Sequence, residues 1–168
     1  MLEPQDKLDI SFTLNGSEQR ATVAARKHLA DFLREDMQLK GTHLGCEHGV
    51  CGACTVLLDG EPVRGCLVLA VQVDGRQVET IEGAVHSGRV AALVDAFQER
   101  NAGQCGFCSP AMILTAAELL ARVPNPSRHQ VREQISGNYC RCTGYEAIVD
   151  AVVKAAAVRP ADDRQQKE

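Results

Sequence analysis

Apolar and polar residues alternate strictly near the start of the chain, where Leu8, Ile10, Phe12 and Leu14 are separated by Asp9, Ser11 and Thr13. A period of two is that of a strand with one buried face. Asn15-Gly16 follows, the dipeptide that favours a two-residue hairpin turn, and Gln19 to Val23 supplies the return strand. In His28 to Glu35 the spacing of Leu29, Phe32 and Leu33 predicts a short helix. Thr55 to Leu58 reads as another strand, ended by Asp59-Gly60. Two further extended segments, Leu67 to Val73 and Gln77 to Ile81, are predicted to meet at Asp74-Gly75. Hairpins, one helix and a glycine-rich loop make a small α+β sheet domain.

Past about residue 83 the period changes to that of a helix. Val90, Leu93, Val94 and Phe97 fall at i, i+3, i+4 and i+7. Ser109-Pro110 offers an N-cap and a first-turn proline for a helix running to about Arg122. Pro124-Asn125-Pro126 breaks the chain, Ser127 caps a helix ending at Gly137, and Thr143 caps a last helix that buries Ile148, Val149, Val152 and Val153. From Arg159 the chain is a polar tail expected to be loose.

Onto this frame the sequence places eight cysteines in two quartets. Cys46, Cys51, Cys54 and Cys66 read C-x4-C-x2-C with a fourth Cys twelve positions on, the plant-type spacing of a [2Fe–2S] centre. Gly41, Gly45, Gly49 and Gly52 interleave with them, so the backbone can approach a compact core and aim N–H groups at its sulfurs. Cys105, Cys108, Cys140 and Cys142 form a C-x2-C and a C-x-C separated by 31 residues. That separation is the contour of an αα-hairpin, which returns the second pair to the first. Cys108 precedes Ser109-Pro110 and Cys142 precedes Thr143, so this centre is expected at two helix N-termini, where an anion is favoured.

Composition narrows the remaining readings. The chain has 168 residues, 45% of them apolar and 24% charged, enough for one domain or two small ones. A net charge of −4 offers no basic patch for nucleic acid. Met1 to Lys7 holds no apolar stretch or twin arginine, and no segment approaches the ~20 apolar residues of a membrane span, so the expected location is the cytoplasm. Reducing cytosol disfavours four disulfides, and neither C-x4-C-x2-C nor C-x-C is a two-knuckle zinc pattern. Cys46-Glu47-His48 contains the C-x-H of a Rieske centre, but no second C-x2-H follows, so His43 and His48 are expected in solvent or beside the cluster.

The motifs GCEHGVCGACTV, QCGFCSP and NYCRCTGY together resemble the small iron–sulfur subunit of the molybdenum hydroxylases, the xanthine oxidase family. The likeness spans roughly residues 8 to 157, with no departure at any ligand position. It implies a β-grasp, ferredoxin-like [2Fe–2S] domain over residues 1–82, a four-helix-bundle-like [2Fe–2S] domain over 83–158, and a polar tail over 159–168. It further implies that Gln104 and Cys142 touch a molybdopterin-type cofactor. That cofactor and FAD would sit on a large molybdenum-binding and a medium FAD-binding subunit, assembled as a dimer of heterotrimers. The implied reaction hydroxylates an electron-poor carbon with oxygen from water, and this chain passes the electrons singly to FAD; no residue here is a candidate for substrate catalysis. The motifs lean toward N-heteroaromatic substrates such as quinoline. Aldehyde, carbon monoxide and aromatic-CoA branches stay open, and a free-standing two-cluster ferredoxin is the alternative outside the family.

Overall fold

The computed structural model describes residues 6–158. Strand β1, Lys7–Leu14, buries Ile10, Phe12 and Leu14 on one face, as the alternation requires. Asn15 and Gly16 both take left-handed φ (51° and 82°), the geometry of the tightest hairpin turn, and lead into antiparallel β2, Ser17–Ala24. Asp59 and Gly60 make the same kind of turn (52° and 87°) between β3, Thr55–Leu58, and β4, Glu61–Arg64. With β5, Gln77–Glu79, the five strands form one mixed sheet in the order β2-β1-β5-β3-β4; β1 and β5 run parallel, and the other pairings are antiparallel.

One face of the sheet is covered by α1, Leu29–Asp31, which continues as a π-type turn over Phe32–Asp36. Its Leu29, Phe32 and Leu33 are fully buried, and the Phe32 ring lies tilted against Phe12 at 5.7 Å. This is the β-grasp arrangement that the family resemblance implies.

Two segments depart from the pattern-based expectation. Leu67 to Val73 is not a strand: it makes one isolated antiparallel bridge, Leu69 with His28, in which Leu29 N–H donates to Val68 O (2.7 Å) and Ala70 N–H to Lys27 O (2.8 Å), and then closes as a 3-10 helix, Ala70–Val73. Instead β4 takes the sheet edge, where Pro62 costs no ladder hydrogen bond. Strand β5 is also short, because Ile81 already opens a helix.

The helices are α2, Ile81–His86, α3, Ala91–Glu99, α4, Ser109–Arg122, α5, Arg128–Ile135, and α6, Glu146–Val158. Helices α3, α4, α5 and α6 pack in a ring, each against the next. At its heart α4 is buried continuously from Ala111 to Leu120, because it packs on β3 and β4 as well as on its helical neighbours. Glu118, buried in that run, is satisfied by Arg122 Nε (3.0 Å) and Gln134 Nε2 (2.7 Å), which ties α4 to α5. Ser127 caps α5 as predicted, receiving Gln130 N–H while its own N–H bonds the Gln130 side chain. Ile148, Val149 and Val152 are buried in α6, whereas Val153 is only half-buried.

Candidate metal centres

The first quartet stands on the loop between the π-type turn and β3, with Cys66 arriving from beyond β4. Cys51 N–H points at Cys46 Sγ across 3.3 Å. Space is tight at Gly45: a Cβ there would sit 3.0 Å from Cys51 Sγ, closer than most side chains approach. Cys54 and Cys66 are buried together against Ala30, with Leu44 packed on them.

The thiols meet in pairs. Cys46 lies with Cys51, and its pKa falls to about 6, chiefly because of the Cys51 N–H and then the backbone around His48. Cys54 lies with Cys66, and burial pushes its pKa up to about 11. In the second quartet Cys105 meets Cys142 and Cys108 meets Cys140. The Phe107 N–H and then the Cys142 thiol lower Cys105, whereas burial and the Cys140 thiol raise Cys108 to about 12. Burial would raise Cys140, but the Thr143 hydroxyl and backbone and the Cys142 N–H outweigh it and its pKa is lowered. The Cys105 thiol holds Cys142 up.

All eight sulfurs are unbridged. Among the described residues no three His, Cys, Asp or Glu side chains are placed to hold a single metal ion. Four thiols arranged as two pairs suit a core of two irons, each taking a pair, and the N–H groups aimed at sulfur suit its negative charge. The residues present therefore fit a [2Fe–2S] cluster at each quartet.

The helix-terminus expectation holds for one pair only. Cys108 is the N-cap residue of α4, and Ser109 is already inside the helix with its hydroxyl buried and unpartnered. Thr143 does not cap α6 directly; its oxygen accepts the Tyr145 N–H (3.1 Å), and α6 begins one residue later. Tyr145 takes a left-handed φ of 70°, which turns the chain into the helix.

Neither His43 nor His48 is free to reach a cluster through Nδ1. His48 Nδ1 engages Cys46 O, while His43 Nδ1 engages Phe107 O (2.7 Å) and its ring stacks on Phe107 at 4.8 Å. His43 thus joins the two cysteine loops. Gln104 is exposed beside Cys105, whose thiol meets the equally exposed Cys142, so Gln104 and Cys142 share the open edge of the second quartet. Sequence reasoning missed Arg64 and Asn138. Arg64 Nη2 donates to Gly137 O (2.6 Å) and Nη1 to Thr55 Oγ1 (2.6 Å). Buried Asn138 donates to Gly52 O (3.0 Å) and Thr55 Oγ1 (3.1 Å) and accepts from Thr115 Oγ1 (3.2 Å). As single polar residues outside any periodic pattern, they gave no signal.

Comparison with known proteins settles the class. Residues 12–101 match the model of a 2Fe-2S iron-sulfur cluster binding domain, and residues 80–153 match that of a [2Fe-2S] binding domain. The small subunit of nicotine 6-hydroxylase from Paenarthrobacter nicotinovorans is 49% identical over 90% of this chain and 92% of its own length. The chain belongs to the small [2Fe–2S] subunits of the xanthine oxidase family of hydroxylases and dehydrogenases. Another member, caffeine dehydrogenase subunit gamma of Pseudomonas sp. (strain CBB1), is 49% identical over 85% of this chain and 87% of its own. In the crystal structure of quinoline 2-oxidoreductase from Pseudomonas putida 86, one chain superposes with a TM-score of 0.84 at 50% identity, covering 90% of this chain and 94% of that one. The family's two-cluster, α+β organisation is the one built here from the residues, and no helix of the described residues is long and apolar enough to cross a membrane.

Proposed function

We propose that this chain is the electron-transfer subunit of a molybdenum hydroxylase, with Cys46, Cys51, Cys54 and Cys66 holding one [2Fe–2S] cluster and Cys105, Cys108, Cys140 and Cys142 the other. The observation that carries this reading is the meeting of two separate four-thiol sets, each in two pairs, one in the sheet half and one in the helical half. When bound, the clusters supply one-electron transfer between a molybdenum–pterin site and FAD on partner subunits. The protein holds its thiols in place, shields Cys54 and Cys66 from water, and presents N–H groups to the sulfurs. The sheet unit is assigned to residues 1–82 and the helical unit to 83–158; the tail over 159–168 lies outside the described residues. Gln104 and Cys142, at the open edge, are assigned to the pterin contact.

Apolar side chains beside the cysteines support a docked subunit over a diffusible carrier. Leu67 is 64% exposed, Phe107 46% and Tyr139 56%. They flank Cys66, Cys108 and Cys140, where a large molybdenum subunit and a medium FAD subunit would cover them. A reducing cytoplasm suits eight unbridged thiols, and the assembly is assigned as a dimer of heterotrimers. The names of the relatives (nicotine, caffeine, quinoline) favour an N-heteroaromatic substrate hydroxylated with oxygen from water, over the aldehyde, carbon monoxide and aromatic-CoA alternatives.

The test is co-purification with the partner subunits, metal, pterin and flavin analysis, and a screen of N-heteroaromatics. This chain should carry about four irons and four acid-labile sulfides and give two paramagnetic signals on reduction. Cys46→Ser should abolish one signal and spare the other. A colourless protein holding one divalent ion, or disulfides found by mass spectrometry, would overturn the reading.

A further inference from the structure

We propose that the Thr143 hydroxyl donates a hydrogen bond to Cys140 Sγ and so raises the reduction potential of the helical-domain cluster. The inference rests on the proposed ligand role of Cys140.

The direction of the bond follows from a single proton. Thr143 Oγ1 lies 3.1 Å from Cys140 Sγ, and the same oxygen receives the Tyr145 N–H at 3.1 Å. A hydroxyl has a single proton to donate and lone pairs to accept with. Since the Tyr145 amide uses the oxygen as acceptor, the hydroxyl proton is left for the sulfur. A metal-bound cysteine is a thiolate and has nothing to donate, which fixes the direction. The bond therefore runs from Thr143 to Cys140.

Its geometry is held on every side. Cys140 N–H donates to the Tyr145 phenol oxygen at 3.0 Å. The ring of contacts closes within six residues: Cys140 amide to Tyr145 hydroxyl, Tyr145 amide to Thr143 oxygen, Thr143 hydroxyl to Cys140 sulfur. Tyr145 holds both of its bonds from a left-handed backbone conformation (φ 70°) that non-glycine residues seldom adopt. Cys140 Sγ also faces the backbone of Thr143 and Cys142, as Cys46 Sγ in the first quartet faces Cys51 N–H. Thr143 is a side-chain donor, and a substitution can remove it without touching a ligand.

Sulfur gains electron density when the cluster is reduced, so a hydrogen bond to it is stronger in the reduced state and raises the potential. In this role Thr143 is a tuning residue one bond away from a ligand. It sets how readily the cluster next to the open edge accepts an electron.

The experiment is a redox titration of the purified holoenzyme, followed by paramagnetic resonance, for wild type, Thr143→Val, Thr143→Ala and Thr143→Ser. Both hydroxyl-free variants should lower the midpoint of one signal by about a tenfold change in the reduction equilibrium, ~59 mV for one electron. The other signal should not move, and serine should restore the wild-type value. An unchanged midpoint in a variant that retains both signals would overturn the proposal. So would loss of iron in both hydroxyl-free variants, since the hydroxyl would then be needed for assembly and not for tuning. Absence of two signals from the wild type would instead sink the ligand assignment on which the proposal stands.

Discussion

The backbone N–H of Tyr139 donates to the carbonyl oxygen of Cys51 across 2.8 Å. One partner belongs to the first cysteine quartet and the other immediately precedes Cys140 of the second. Covalent bonds and one hydrogen bond thus connect the two candidate centres, and the surrounding contacts hold that bridge in register. Asn138, Arg64, Thr55 and the carbonyls of Gly52 and Gly137 form a polar knot about it. A fixed separation between centres is what single-electron relay needs.

Asn138→Ala tests the knot. The carboxamide is buried, and removing it strips a partner from Gly52 O and Thr55 Oγ1 and leaves Thr115 without its acceptor. An unsatisfied buried group costs about 1–3 kcal/mol. The unfolding free energy should fall by that amount, read as a lower denaturation midpoint with an unchanged denaturant slope, while iron content stays constant. The magnetic interaction between the two reduced centres should weaken. An unaltered interaction in a destabilised variant would show that the knot supports the fold without setting the separation.

Gly52→Ala is expected to be worse than Gly60→Ala, although both glycines have left-handed φ (73° and 87°). The backbone penalty is common to both, roughly 1–2 kcal/mol. At Gly60 a Cβ meets nothing, whereas at Gly52 it would lie against Gly137 O and the Asn138 backbone, neither of which is a flexible side-chain end. Thermal unfolding of the two variants side by side separates strain from clash: equal losses would mean that the helical half shifts freely away from the loop.

Much of this was legible in the chain itself because its signals are local and redundant. Alternation marked β1, Asn15-Gly16 marked its turn, and cysteine spacing marked both centres before any fold was known. The segments that misled are those whose structure is decided at a distance. Leu67 to Val73 has a strand's composition, but it pairs only through the single bridge between Leu69 and His28, after which Gln72 N–H closes on Leu69 O and opens a 3-10 turn. Glu61–Arg64 has a proline and two charges and still pairs, because a sheet edge tolerates them. Thr143 reads as a cap, and only the folded chain sets its oxygen between an amide and a sulfur.

Loading of the iron-free chain should depend on pH in a direction set by burial. Burial first, then the neighbouring thiols, hold Cys54 at about 11 and Cys108 at about 12, so both carry protons near neutrality, while Cys46, at about 6, is already mostly thiolate. Iron binds thiolate, so each quartet must release at least the proton of its raised thiol, Cys54 or Cys108. Reconstitution between pH 6 and 8 should therefore become easier with rising pH, by up to about tenfold per unit per proton displaced, and should acidify an unbuffered solution. The iron-free fold carries the opposite sign. Cys54 and the partly buried Cys108 have pKa values raised above the ordinary 9.0, so the stability they confer is complete below pH 9 and drains away as pH climbs through 11 and 12. Chelated protein should consequently unfold more readily above pH 9, and loaded protein, whose sulfurs no longer titrate, should not show that loss. Parallel denaturation curves of the two forms across that range would contradict the burial argument at Cys54 and Cys108.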